Sequence, residues 1–136
     1  MYAYRRSTIN LQNTKKFLGT LANETRIRLL SALRNVDEEV CVCEFEDALD
    51  LPQYTVSRNL NKLKERGLVE SRREGTWAYY SLSDKLEAAE QEMISWIGNY
   101  VNDDLLEKDR KEMKERLKLR NQGKCVAGND EESSCK

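Results

Sequence analysis

Four cysteines fall in two pairs, Cys41 with Cys43 and Cys125 with Cys135, in a chain of 136 residues that contains no histidine. A site built from these residues offers sulfur alone, and an all-thiolate donor set selects soft, thiophilic ions. Trivalent arsenic or antimony suits it best, since two or three sulfurs in a pyramid satisfy either without a fourth ligand; Cd, Pb and Cu(I) are the alternatives. No organic cofactor is expected. The spacing is C-x-C rather than the C-x-x-C of dithiol oxidoreductases, and the usual general base is missing, so the chain is not expected to be an enzyme. The plainer reading of Cys41 and Cys43 is a pair of small buried hydrophobes. For Cys125 and Cys135 it is a pair of exposed thiols, or a disulfide formed only on oxidation.

Geometry constrains the first pair. Side chains two residues apart on a regular helix project about 200° from one another, so Cys41 and Cys43 cannot both chelate one atom from an ideal helix. Either they sit in an irregular lead-in, or ligand binding unwinds the first helical turn.

The elements around them follow from periodicity. Residues 40–49 (VCVCEFEDAL) read as a short helix, with Val42, Phe45 and Leu49 on one face. Within residues 53–66, Val56, Leu60 and Leu63 recur at helical spacing and mark a buried stripe. The opposite side carries Gln53, Tyr54, Thr55, Ser57, Arg58, Asn59 and Lys62, a mixture of hydrogen-bonding groups and cations suited to base edges and phosphates in a major groove. Asp50, Leu51 and Pro52 leave only a short link between the two helices, as in a helix-turn-helix. Residues 68–72 and 77–82 are rich in β-formers and flank a Gly-containing turn, which predicts a hairpin with Arg72, Arg73 and Thr76 at its tip. Residues 53–76 hold six cations and three anions, a net +3 on a chain whose formal charge is −1. Basic charge is therefore concentrated where nucleic acid would lie.

These residues resemble a known family. The run CVCEFEDALDLPQYTVSRNLNKLKERGLV, followed by RREGTWAYYSL and preceded by LANETRIRLLSAL, is similar to the ArsR/SmtB family of metal-responsive repressors over roughly residues 14–100. The CVC opening resembles its arsenic-responsive branch. The resemblance implies a winged helix-turn-helix, mainly α with a small β-hairpin, that forms a homodimer through its terminal helices. It further implies a repressor that occupies double-stranded operator DNA and is released when As(III), or Sb(III), binds Cys41 and Cys43. A thiol redox switch and a Cd- or Pb-responsive repressor are the alternatives. The chain departs from the family pattern at two points: Glu46 stands where arsenic-responsive relatives often have a third cysteine, and Ser57-Arg58-Asn59 replaces the common Ser-Arg-His. A third sulfur would then come from an exogenous thiol, or from Cys125 or Cys135 folding back within a subunit or across the dimer. The absence of histidine also excludes the imidazole-containing Zn, Ni and Co sites that sensors of this family usually build.

Taken in order, residues 1–12 are expected to form an N-terminal arm, and residues 13–102 the DNA-binding and dimerisation domain. Asn23 is a plausible cap for a helix over residues 24–33. After the wing, Ser83 or Asp84 is expected to cap a helix whose apolar stripe includes Met93, Trp96, Ile97 and Tyr100; with Phe17, these are the candidate dimer contacts. The same stripe could instead complete its own domain. Residues 103–120 read as a charged, solvent-facing helical extension, and residues 121–136 as a flexible cysteine-containing tail. No apolar run long enough to span a membrane occurs, which predicts a cytoplasmic protein without membrane contact.

Overall fold

The computed structural model describes residues 10–120 together with Cys125 and Val126. The first nine residues of the expected arm, and Cys135, lie outside the described residues. Helix α1 (Leu11–Leu21) begins two residues before the expected boundary, because the Asn10 side-chain oxygen accepts the Asn13 N–H at 2.8 Å. Asn23 caps α2 (Glu24–Val36) as its sequence position predicts, accepting the Arg26 N–H at 3.1 Å. This helix runs through the middle of the core, burying Leu29, Leu30, Ala32 and Leu33.

The helix expected over residues 40–49 loses its first two residues to a strand. Val40 and Cys41 form β1 (Val40–Cys41), antiparallel to Tyr80 and Tyr79, and α3 (Val42–Leu49) starts only after Cys41. The backbone leaves α3 through Asp50, whose φ of 54° is left-handed. After the extended Pro52 it enters α4 (Gln53–Glu65). The predicted stripe of α4 is fully buried: Val56, Leu60 and Leu63 have no exposed surface. Gly67, at a φ of 75°, makes the left-handed exit that ordinary side chains resist. Strands β2 (Val69–Glu74) and β3 (Trp77–Leu82) form the predicted hairpin, so the sheet has three antiparallel strands in the order β1-β3-β2.

Two further expectations need correction. The next helix, α5 (Ala88–Tyr100), is capped by Glu87 and not by Ser83 or Asp84. Glu70 takes the Asp84 N–H at 2.7 Å and the Ser83 hydroxyl takes the Lys85 N–H at 3.1 Å, which holds these residues in a turn. The last helix, α6 (Asp104–Leu117), is charged and exposed along one side only, and is not a free extension. It packs along α2 and α3 and buries Leu106, Asp109, Met113 and Arg116.

Candidate metalloid site and nucleic-acid face

Cys41 occupies the cap position of α3 with extended backbone (φ −83°, ψ 155°), and Cys43 lies in the first turn. Of the two geometries open to this pair, the irregular lead-in is the one adopted, and no unwinding is needed to bring the sulfurs together. The Cys41 and Cys43 Sγ atoms are 4.0 Å apart. Cys125 completes the group, its Sγ 3.1 Å from that of Cys43. All three sulfurs fall within 4.8 Å of one another. In a tetrahedral metal thiolate with bonds of about 2.3 Å, neighbouring sulfurs stand about 3.8 Å apart. Shifts on the scale of an ångström would therefore seat one ion.

The cluster is dry. Cys41, Cys43 and Cys125 are exposed by 0%, 1% and 4%. Trp77 and Tyr79 of the wing strand pack against it. The Cys125 N–H donates to the Tyr79 hydroxyl at 3.0 Å. Burial, assisted by the negative charge of Glu44, pushes the Cys125 thiol up to about 12 from an ordinary value of 9.0. A thiol raised on folding contributes stability that is fully present below its unfolded value and is lost as pH climbs toward the folded one. The denaturant midpoint of the reduced protein should accordingly fall between about pH 9 and about pH 12, and C125S should flatten part of that decline. An unchanged slope in C125S would show that this thiol ionises as readily folded as unfolded.

Three charged groups that the sequence reading passed over surround the sulfurs. Glu44 is fully buried; its carboxylate accepts the Cys41 N–H at 2.9 Å and two donors of Arg120 at 2.8 Å each. The Arg120 guanidinium is held charged chiefly by this hydrogen-bonded carboxylate, against the opposing effect of burial. Its remaining reach is spent on the Glu39 carbonyl at 2.6 Å and Glu38 at 3.2 Å. Arg116 spans Asp47 at 2.7 Å, the Val126 carbonyl at 2.7 Å and the Cys43 sulfur at 3.5 Å. The spacing of Cys41 and Glu44, a cap and its third residue, was the available signal for Glu44. For the two arginines there was none, since their partners are distant in the chain.

The candidate nucleic-acid residues lie together on α4 and the wing. Gln53, Tyr54, Arg58 and Lys62 are exposed, with Thr55, Ser57 and Asn59 half-buried beside them. Gln53 donates to the Ser57 hydroxyl at 2.8 Å, and Arg58 to the Tyr54 hydroxyl at 2.6 Å with its guanidinium 5.3 Å from the ring centre. Asn59 is turned toward α2, accepting from Arg26 at 3.1 Å, so it braces the reading helix as well as edging it. Arg72 is tied down, paired with Glu39 at 2.8 Å and Glu74 at 3.0 Å over the Tyr79 ring. Arg73 and Thr76 are exposed near the turn.

The candidate dimer residues divide. Ile97 is buried within the chain, which is the intradomain alternative for that position, and Phe17 and Met93 pack partly against the core. Trp96 and Tyr100 face outward, 52% and 73% exposed, with ring centres 6.3 Å apart. Among the described residues no helix is long and apolar enough to cross a membrane.

Residues 23–71, from the start of α2 to the first wing strand, match the family described as bacterial regulatory protein, arsR family. The chain is 36% identical over 83 residues to the putative arsenical resistance operon repressor ArsR2 of Halobacterium salinarum, an alignment covering 61% of this chain and 70% of that protein. It is 41% identical over 68 residues to the arsenical resistance operon repressor of Escherichia coli, covering 50% and 57%. Among solved structures, HlyU from Vibrio cholerae superposes with a TM-score of 0.60 at 30% identity, covering 71% of this chain and all of that one. Matching sequence across the helix-turn-helix and matching architecture around it lead to one conclusion: the chain belongs to the ArsR family of bacterial transcriptional regulators.

Proposed function

We propose that this chain is an As(III)-responsive repressor that binds operator DNA as a homodimer and leaves it when the metalloid is captured by Cys41, Cys43 and Cys125. The convergence of three sulfurs within 4.8 Å carries this reading. Arsenous acid and three thiols yield an arsenic trithiolate and three waters, with no net release of protons. A buried site whose Cys125 thiol resists ionisation is suited to that exchange, whereas Cd2+ must displace one proton from each thiol it binds.

The route from sulfur to DNA runs through two connections. Cys41 lies on β1, paired with Tyr79 of the wing strand. Cys43 lies in the first turn of α3, which ends at the short link into α4. Drawing three sulfurs onto one atom displaces both, and tilts the wing relative to the reading helix. The two DNA-facing elements then no longer fit one groove geometry. Arsenite weakens DNA binding because it binds the displaced arrangement better, as any ligand that shifts a two-state equilibrium must.

The direct experiment is fluorescence anisotropy of operator DNA titrated with arsenite and, separately, with Cd2+ over about two pH units. Arsenite-driven release should be nearly independent of pH, while the Cd2+ response should steepen as pH rises. Release by Cd2+ alone would transfer the assignment to a divalent sensor.

One observation favours a second reading. The Cys43 and Cys125 sulfurs, 3.1 Å apart, stand near the reach of a disulfide, whose bond is about 2.05 Å. Oxidation by peroxide would join the two thiols, with two electrons and two protons reducing one peroxide to two waters. Peroxide-driven release by protein that ignores arsenite would establish this switch in place of the metalloid.

A further inference from the structure

We propose that Arg116 is a positioning residue that sets the third sulfur in place, and that it thereby selects ligands with three open valences over those that take two thiols. The inference rests on the reading of Cys41, Cys43 and Cys125 as the ligand set. It identifies which group outside that set makes it a three-sulfur site.

Cys41 and Cys43 owe their places to β1 and α3, elements with their own hydrogen bonds and core side chains. Cys125 has no such element. Three contacts hold its stretch of backbone: its own N–H donates to the Tyr79 hydroxyl at 3.0 Å, and the Val126 carbonyl accepts from Arg116 at 2.7 Å and, more weakly, from the Cys43 thiol at 3.5 Å. The same Arg116 nitrogen that holds Val126 lies 3.5 Å from the Cys43 sulfur, so one atom registers the tail against the helix that bears its partner thiol.

The guanidinium is itself fixed from the opposite side by Asp47, at 2.7 Å, while only 5% of its side chain is exposed. Its Nη1 is buried with no hydrogen-bond partner among the described residues. Burying a cation with one donor unsatisfied is costly. Such a group is better suited to a demanding local task than to general stability. A planar fork with several donors can serve a carboxylate, a carbonyl and a sulfur at once, and a lysine at this place could not.

The consequence is chemical. Arsenite has three valences to fill and gains from a third sulfur that is already docked. Phenylarsine oxide takes only two thiols and gains nothing from Cys125. Loss of Arg116 should thus separate the two probes.

The experiment uses the full-length reduced protein, with binding of arsenite and of phenylarsine oxide measured for wild type, R116Q, R116K and C125S, and sulfur coordination counted by arsenic X-ray absorption. For R116Q the arsenite affinity should fall about 10- to 100-fold, the range expected for groups that orient ligands. Phenylarsine oxide affinity should hold within about twofold, against that 10- to 100-fold loss. The coordination number of bound arsenite should drop from three sulfurs to two. R116K, which keeps the stem and charge, guards against simple loss of fold and should weaken arsenite in the same direction.

Unchanged arsenite affinity in both Arg116 variants overturns the proposal. So does an equal loss of both probes, which would mark Arg116 as mere support. C125S tests the underlying reading separately: three sulfurs on arsenite in C125S would remove Cys125 from the ligand set, whatever Arg116 does.

Discussion

Operator DNA bound to C41S or C43S should stay bound at arsenite concentrations that fully release it from the wild-type protein. The shift in the half-releasing concentration should exceed about 100-fold, equivalent to ~2.7 kcal/mol of lost coupling. The size follows from position. Each of these sulfurs is attached to an element that touches the reading head, Cys41 through its pairing with Tyr79 and Cys43 through α3. Removing either leaves arsenic bonded to sulfurs that no longer connect the wing with the helix-turn-helix. Serine is close in size to cysteine, so the buried site should keep its shape and DNA affinity without arsenite should change little. C125S should show a smaller defect, because two sulfurs still bridge the moving parts. If both serine variants respond to arsenite like the wild type, the three-sulfur cluster is not the sensor.

The contrast with the other cysteines shows what sequence could and could not reveal. Cys41 and Cys43 were legible as a pair because their spacing is local, and the geometric conflict with an ideal helix pointed to an irregular lead-in. That the lead-in is a strand was not legible. Two residues carry too little β-pattern, and β1 exists because Tyr79 and Tyr80, nearly forty positions away, offer it an edge. The docking of Cys125 was hidden for the same reason. Its place is set by Arg116 and Tyr79, and nothing in the neighbouring Gly- and Ser-containing sequence encodes that contact.

Helix α4 is the opposite case. Its three apolar positions and its polar face follow one period, and every expected core residue is buried. Along α5 the stripe was correct but its start was not, since Ser83, Asp84 and Glu87 all have capping chemistry and the turn held by Glu70 and the Ser83 hydroxyl excludes the first two. Where burial is arranged by local period the sequence is readable; where it is arranged by partners across the fold it is not.

Helix α6 shows how charge can conceal a core face, and it yields the largest expected effect on stability. Leu106, Asp109, Met113 and Arg116 recur at the spacing of a buried stripe, yet two of the four are charged, so the period looks broken. Asp109 tolerates burial because Arg28 of α2 grips it with two hydrogen bonds, of 2.7 and 2.9 Å, and reaches on to the Leu49 carbonyl at 2.6 Å. The Asp109 hydrogen bonds raise the Arg28 pKa more than burial lowers it, so the guanidinium stays charged.

One pair thus joins α2, α6 and the end of α3, directly before the link into the reading helix. Truncating a single partner strands a buried charge, which typically costs about 3–5 kcal/mol. D109A should therefore lower the melting temperature by roughly 10 °C or more. The double variant R28M/D109L, which removes both charges and keeps the volume apolar, should recover most of that loss. Because α6 carries Arg116 and leads directly into Arg120, D109A should loosen the cover of the sulfurs and speed alkylation of Cys41 and Cys43 in the reduced protein. The double variant should restore slow labelling together with stability. A D109A protein that melts within about 1 °C of wild type would mean that the Arg28–Asp109 pair contributes almost nothing net, as exposed ion pairs commonly do. The attachment of α6 to the domain would then rest on Leu106, Met113 and the Arg116–Asp47 pair.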